Sequence, residues 1–204
     1  MFGEHDYIDK RWMYEESIRM PFFVRYPKKI KPGSRTDAII NNADFAPTMI
    51  ELASGATPEY MQGKSFKSIL ETGIEPDDWQ KGTYYRYWMH LAHKHQNPAQ
   101  FGICTKDYKL IFYRKCWADA DNPDLEWDKT DWGIDYANHT PAAWEFYDLK
   151  KDPNKMNNEY NNLEYKDIIS DLKTQPIRMS ENLNETDAKY LHVQKVIDKR
   201  WNDY

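Results

Sequence analysis

The sequence predicts the end of an α/β unit followed by a four-stranded antiparallel sheet closed by a C-terminal helix. Three observations carry this expectation. Phe22-Phe23-Val24-Arg25-Tyr26 is a short, nearly continuous apolar run of the kind found in strands covered on both faces. Further on, four runs rich in aromatic and β-branched residues are separated by turn signals. After them, Tyr165, Ile169 and Leu172 form the stripe of a helix with one buried face.

Taken in order, Gly3 to Lys10 reads as a polar loop and Arg11 to Ile18 as a short helix stopped by Pro21. The Phe22–Tyr26 strand follows, and the rest of the chain offers none of the parallel neighbours it would need. Pro27 to Ser34 is a loop by its Pro, Gly and Lys content. Asn42 to Ala53 reads as a helix with Asn or Asp at its start and Pro47 in its first turn; Phe45, Met49 and Leu52 share a face, and Gly55 lies just past the end. A second short helix is expected at Ser65 to Leu70, and the polar stretch Glu71 to Gly82 marks a boundary. The division is therefore 1–75, the end of the α/β unit, and 76–204, the antiparallel-sheet subdomain. Thr83–Met89, Phe101–Thr105, Tyr108–Arg114 and Trp144–Leu149 are the four expected strands. Ala118 to Pro141, with repeated Asp and two prolines, reads as a long surface loop. Leu163 to Lys173 is the covering helix, ended or kinked by Pro176, and Asp187 to Trp201 is a further helix.

Composition narrows the function. The chain has 28 basic and 33 acidic residues, a net charge of -5, with no long basic stripe, so nucleic acid is a poor partner. No apolar run reaches the length of a membrane span, and the opening MFGEHDYIDK lacks the apolar centre of a signal peptide. An exported parent protein would carry its signal upstream. Cys104 and Cys116 match neither a redox pair nor a zinc ligand set; two unpaired thiols or a single disulfide both fit their spacing.

Gly3-Glu4-His5, Lys10, Tyr14-Glu15, Arg19 and Pro21 reproduce a spacing found in sulfatases of the alkaline phosphatase superfamily. Tyr26-Pro27, Pro32-Gly33, Asp44-Phe45-Ala46-Pro47-Thr48, Tyr108-Lys109-Leu110, Tyr147-Asp148-Leu149, Asp152-Pro153 and Asn157-Asn158 follow in the same order. On these motifs the chain resembles the C-terminal portion of an arylsulfatase-like, formylglycine-dependent enzyme. The resemblance implies an alkaline-phosphatase-like α/β domain, here truncated, followed by a smaller antiparallel sheet with a C-terminal helix. It also implies a Cys or Ser that becomes formylglycine and a calcium site, both upstream of Gly3, so that the chain alone should be inactive and bind no metal. The expected substrate is a sulfated carbohydrate or aryl sulfate, and the expected compartment of the parent protein is periplasmic or extracellular. A phosphonate or phosphate ester hydrolase of the same superfamily and a non-catalytic carbohydrate-binding module are the rival readings.

The resemblance also assigns site residues. Lys10 matches the lysine that contacts sulfate, where a compact ammonium can turn its three donors toward several oxygens; by position alone it would be a solvated lysine beside Arg11. His5 either reaches the same pocket or orients its loop. Tyr14, Glu15 and Arg19 read as structural, with Glu15 and Arg19 spaced for an ion pair. His90, His93 and His95 leave a strand for a loop and are candidates for sugar contact; a zinc site is disfavoured because no carboxylate or cysteine accompanies them at ligand spacing. Asp6, Gln100 and Cys104 depart from the pattern, standing where Gly, His and Arg are common.

Overall fold

Residues 1–7, 10–87, 97–113, 142–186 and 191–202 are described by the computed structural model of the chain. Its helices are α1 (Glu15–Ile18), α2 (Phe45–Leu52), α3 (Lys67–Thr72), α4 (Lys166–Asn182) and α5 (Leu191–Arg200). The strands are β1 (Gly82–Tyr87), β2 (Gln100–Thr105), β3 (Tyr108–Tyr113) and β4 (Ala143–Asp148). The contacts divide the chain into two units, one formed by 1–20 with 84–204 and the other by 21–83. This differs from a cut at 75/76, because the first twenty residues pack on the sheet rather than with the segment that follows them.

The larger unit is built on the expected four-stranded antiparallel sheet, ordered β1-β2-β3-β4. Phe101 faces Phe112 across β2 and β3, and Leu110 faces Phe146 across β3 and β4. Alternation along each strand therefore sends Phe101, Ile103, Leu110, Phe112, Trp144 and Phe146 to one side, where they form a core with Ile169 and Leu172 of α4, Ile197 of α5 and Trp201. The Trp201 ring stacks on Phe101 at 5.3 Å, and Lys173 donates to the Trp201 carbonyl at 2.7 Å with its ammonium 4.6 Å from the Trp144 ring. The stripe Ile169, Leu172 and Lys173 continues to buried Pro176, and α4 runs through that proline to Asn182 instead of ending there. A helical proline forfeits one backbone hydrogen bond. Here its ring lies on the buried stripe, so packing against the aromatic side offsets the loss.

The polar motifs after β4 are corner pieces. Asp148 accepts from the backbone N–H of Lys150 and Lys151 and from the Tyr165 hydroxyl at 3.0 Å. Asn158 accepts from Phe146 N–H at 3.0 Å and donates to the Trp144 carbonyl at 2.9 Å, satisfying backbone groups of β4 on the side away from β3.

The smaller unit centres on Asp44, which is 2% exposed. Its carboxylate accepts from the backbone N–H of Asn41 and Lys64 and from the Gln80 amide, at 2.7 to 2.8 Å. Thr48 then donates to the Asp44 carbonyl and accepts from Phe66 N–H. The buried face of α2 thus runs through Pro47 and Thr48, and Met49, expected on it, is 57% exposed. Phe22 packs edge-on against Phe45 and Phe66. The expected strand Phe22–Tyr26 is not formed; the segment is irregular and Phe23 is 92% exposed. A strand needs a hydrogen-bonded neighbour, and among the described residues none pairs with it. The expected helix at Ser65 begins at Lys67 and closes on Gly73, whose φ of 76° is left-handed. The long loop at 118–141 lies outside the described residues.

Gly102 of β2 faces Ile111 of β3 with no room for a side chain. A Cβ built there would sit 2.0 Å from the Leu110 carbonyl oxygen, a backbone atom that cannot turn aside. Gly102→Ala is expected to lower unfolding free energy by about 3 kcal/mol, as overpacking of a rigid site does. The midpoint of urea unfolding followed by near-ultraviolet circular dichroism checks this.

Candidate functional site

The side of the sheet away from α4 carries Gln100, Cys104, Lys109, Ile111, Tyr113, Glu145 and Tyr147. The N-terminal segment lies on it, burying Met1, Met13 and Tyr14 against Cys104, Ile111, Tyr113 and Tyr147. The expected helix from Arg11 shrinks to Glu15–Ile18 because the backbone before it is engaged by the sheet. Gln100 accepts from Met13 N–H at 3.1 Å and donates to the Arg11 carbonyl at 2.7 Å. Lys109, whose side chain is wholly buried, donates to the Met13 carbonyl and to Glu15 Oε1, both at 2.6 Å. Glu15 therefore pairs with Lys109 in place of the partner expected at Arg19. Burial pushes the Glu15 carboxyl upward, but the charge and hydrogen bond of Lys109 outweigh this and hold it below its ordinary 4.5.

His5 sits in a 3-10 turn, Glu4–Asp6, with φ of 55° at His5 and 60° at Asp6. Both are left-handed conformations that cost a non-glycine residue energy, and Gly3 before them has φ of 123°. The His5 ring stacks on Tyr14 with centroids 4.3 Å apart, and its Nε2 lies 3.9 Å from Glu16 Oε2. Glu16 is in turn held by Lys155 at 3.1 Å. Tyr14 donates to Glu145 at 2.9 Å, and Tyr113 donates to the same carboxylate oxygen at 3.0 Å. On the other side of the loop, Tyr7 stacks on Trp12 at 4.1 Å and Arg11 donates to the Tyr87 hydroxyl at 3.1 Å.

Lys10 is exposed, one residue before the anchored Arg11. The two residues assigned by resemblance, His5 and Lys10, thus belong to one segment fastened to one side of the sheet. His90, His93 and His95, the candidate sugar contacts, lie outside the described residues, as does Cys116. Cys104 is a free, buried thiol that donates to Glu15 at 3.4 Å. Among the described residues no three His, Cys, Asp or Glu side chains converge to hold a metal ion, and no helix is long and apolar enough to cross a membrane. A cleft of about 270 Å³ lined by Tyr160, Asn162, Leu163 and Lys166 lies beside the start of α4, across the sheet from His5. It brings together no carboxylate, imidazole or thiol, so the chemistry is not there.

The residues that build the platform, Gln100, Lys109 and Glu145, went unassigned by sequence reasoning. Their signal was present: each is a polar side chain at an inward position of an otherwise apolar strand. Lys109 in Tyr108-Lys109-Leu110-Ile111 is the clearest, since a lysine there must either leave a strand face open to water or find buried partners.

The same burial makes the platform alkali-sensitive. Burial first, and the Glu145 charge second, push the hydroxyls of Tyr14, Tyr113 and Tyr147 well above their ordinary 10.0. Burial likewise pushes the Cys104 thiol from 9.0 up to about 12. Groups with folded values above their unfolded ones contribute stability in full below the unfolded values, and that contribution is lost as pH rises toward the folded ones. Stability is therefore expected to hold through neutral pH and to fall progressively above pH 9, with Cys104 and the three tyrosines ionising only on unfolding. Urea midpoints between pH 7 and 11, with alkylation mapped to Cys104 by mass spectrometry, test this; labelling of native Cys104 at pH 8 would contradict it.

Comparison with known proteins places this geometry in a family. Residues 3–134 match the family described as N-sulphoglucosamine sulphohydrolase, C-terminal. An N-acetylglucosamine-6-O-sulfatase of Bacteroides thetaiotaomicron is 42% identical over 164 residues, 80% of this chain and 25% of that protein. An arylsulfatase of Clostridium perfringens is 24% identical over 188 residues, 91% of this chain and 32% of that protein. A solved structure in complex with its substrate D-glucosamine-2-N,6-O-disulfate is 37% identical with a TM-score of 0.75, covering 93% of this chain and 34% of that one. A second, from Bacteroides thetaiotaomicron and described under metabolism of multiple glycosaminoglycans, is 22% identical with a TM-score of 0.63 over 93% of this chain and 35% of that one; at that identity it speaks for the fold alone. The chain spans about a quarter to a third of the length of these relatives. It belongs to the family described as N-sulphoglucosamine sulphohydrolase, C-terminal, and is similar over most of its length to sulfatases.

Proposed function

We propose that this chain is part of an exported sulfatase that hydrolyses a sulfate ester on a glucosamine-type sugar. The observation that carries the reading is the 42% identity to an N-acetylglucosamine-6-O-sulfatase across 80% of the chain. The structure 37% identical to the chain, solved with a glucosamine disulfate as its substrate, supports the same sugar. In this reading Lys10 contacts a sulfuryl oxygen and stabilises the charge that grows there as the ester bond breaks. His5, its ring plane set by the Tyr14 stack, reaches the same group, and at least one of His90, His93 and His95 touches the sugar.

The formylglycine nucleophile and the calcium implied by the family resemblance belong, in this proposal, to an upstream catalytic region. The described residues do not offer the ion a cage.

The 204-residue chain alone is accordingly expected to give no turnover of glucosamine 6-sulfate or an aryl sulfate, with or without calcium. Joined to an upstream catalytic region it should desulfate the sugar. In that enzyme Lys10→Ala is expected to lower kcat by about a hundredfold to a thousandfold, the usual loss on removing a preorganised donor. His93→Ala should mainly raise KM, as for a contact made equally to substrate and transition state. Steady-state kinetics on both variants decides; a Lys10→Ala enzyme within about threefold of the parent kcat would remove Lys10 from the site.

A further inference from the structure

We propose that Gln100 and Lys109 are positioning residues that set Lys10 against the sulfuryl group, an assignment that rests on the reading of Lys10 given above. Three backbone groups just after Lys10 are held by these two side chains: the Arg11 carbonyl and Met13 N–H by Gln100, and the Met13 carbonyl by Lys109. Every one of these contacts is to backbone. They therefore fix the path of the chain whatever side chains stand at 11 and 13.

The two residues are suited to hold rather than to react. Both are 0% exposed, so water does not compete for their hydrogen bonds. They stand on β2 and β3, adjacent strands of the sheet whose other side is packed by α4, α5 and Trp201. Lys109 is further tied to Glu15, at the first turn of α1. Upstream, Tyr7 is fastened by its stack on Trp12 and by the Gly3 N–H that donates to its carbonyl. Lys10 thus lies one residue from an anchored backbone carbonyl, that of Arg11, which limits where its Cα can stand. A donor held this way carries its reorganisation cost before substrate arrives, which is what lets it act on the transition state.

The test is a double-mutant cycle in the enzyme joined to its upstream catalytic region, with hydrogen exchange on the 204-residue chain as a second readout. Gln100→Leu removes two of the three backbone contacts without leaving a buried charge, and its fold is checked by thermal melting. It is expected to lower kcat by about tenfold to a hundredfold with KM nearly unchanged, the scale of a misplaced catalytic group. In a Lys10→Ala background the same change should cost kcat almost nothing, because there is no ammonium left to misplace. In the 204-residue chain, Lys109→Met should speed amide exchange at Arg11–Tyr14 while residues 108–113 stay protected. Equal kcat losses from Gln100→Leu in both backgrounds would show a merely structural role and overturn the proposal, as would unchanged kcat or unchanged exchange. If Lys10→Ala itself leaves kcat alone, the reading of Lys10 falls and takes this assignment with it; a failed cycle beside an essential Lys10 overturns this assignment alone.

Discussion

The ammonium of Lys109, shut away from water between the Met13 carbonyl and the Glu15 carboxylate, is the interaction on which the larger unit turns. Desolvating an ammonium costs several kcal/mol, and only close, well-directed partners offset that. Both partners come from the N-terminal segment. The sheet can therefore bury this lysine only while the segment is in place, and the segment stays in place because the lysine needs it. Removing the Glu15 carboxylate while the segment stays in place would leave the buried ammonium without its counter-charge, a defect that typically costs about 3–5 kcal/mol.

The two sides of the sheet follow different physics. Toward α4 the contacts are aromatic and area-driven: Phe101, Phe112, Trp144 and Trp201 stack and tilt on one another at 4.6 to 5.5 Å. Toward the N-terminus they are directional, built from an amide, an ammonium, a carboxylate and tyrosine hydroxyls. Area-driven contacts tolerate small shifts. Directional ones hold a backbone to within a fraction of an ångström, and the segment bearing His5 and Lys10 lies on that side.

Much of this was legible in the residues. The four strands announced themselves by aromatic and β-branched runs, and all four formed within two residues of their expected limits. The amphipathic stripe of α4 was equally plain, although Pro176 hid its length: a proline signals a break locally, and only the core beneath it decides whether the helix continues. Met49 was misassigned for a related reason, since an apolar residue outranks a threonine by hydropathy while Thr48 has a hydrogen-bonding task to perform inside. The run at Phe22 has strand composition but no neighbour among the described residues to pair with, and pairing is never visible in a single segment. For the site, motif spacing picked out His5 and Lys10, but the platform beneath them depends on long-range partners such as Gln100 and Met13, 87 positions apart. Sequence periodicity carries no information about such pairs.

The alternation along β3 gives the buried lysine one more role. Side chains of a strand change sides with every residue, so sliding β3 by a single position would drive Lys109 in among Phe101, Phe146 and the tryptophans and bring Leu110 to the carboxylate of Glu15. An all-apolar strand would accept such a slip at modest cost. With an ammonium at its second residue the slipped pairing is heavily penalised, so the charge that fastens the N-terminal segment also disfavours a one-residue misalignment of the sheet.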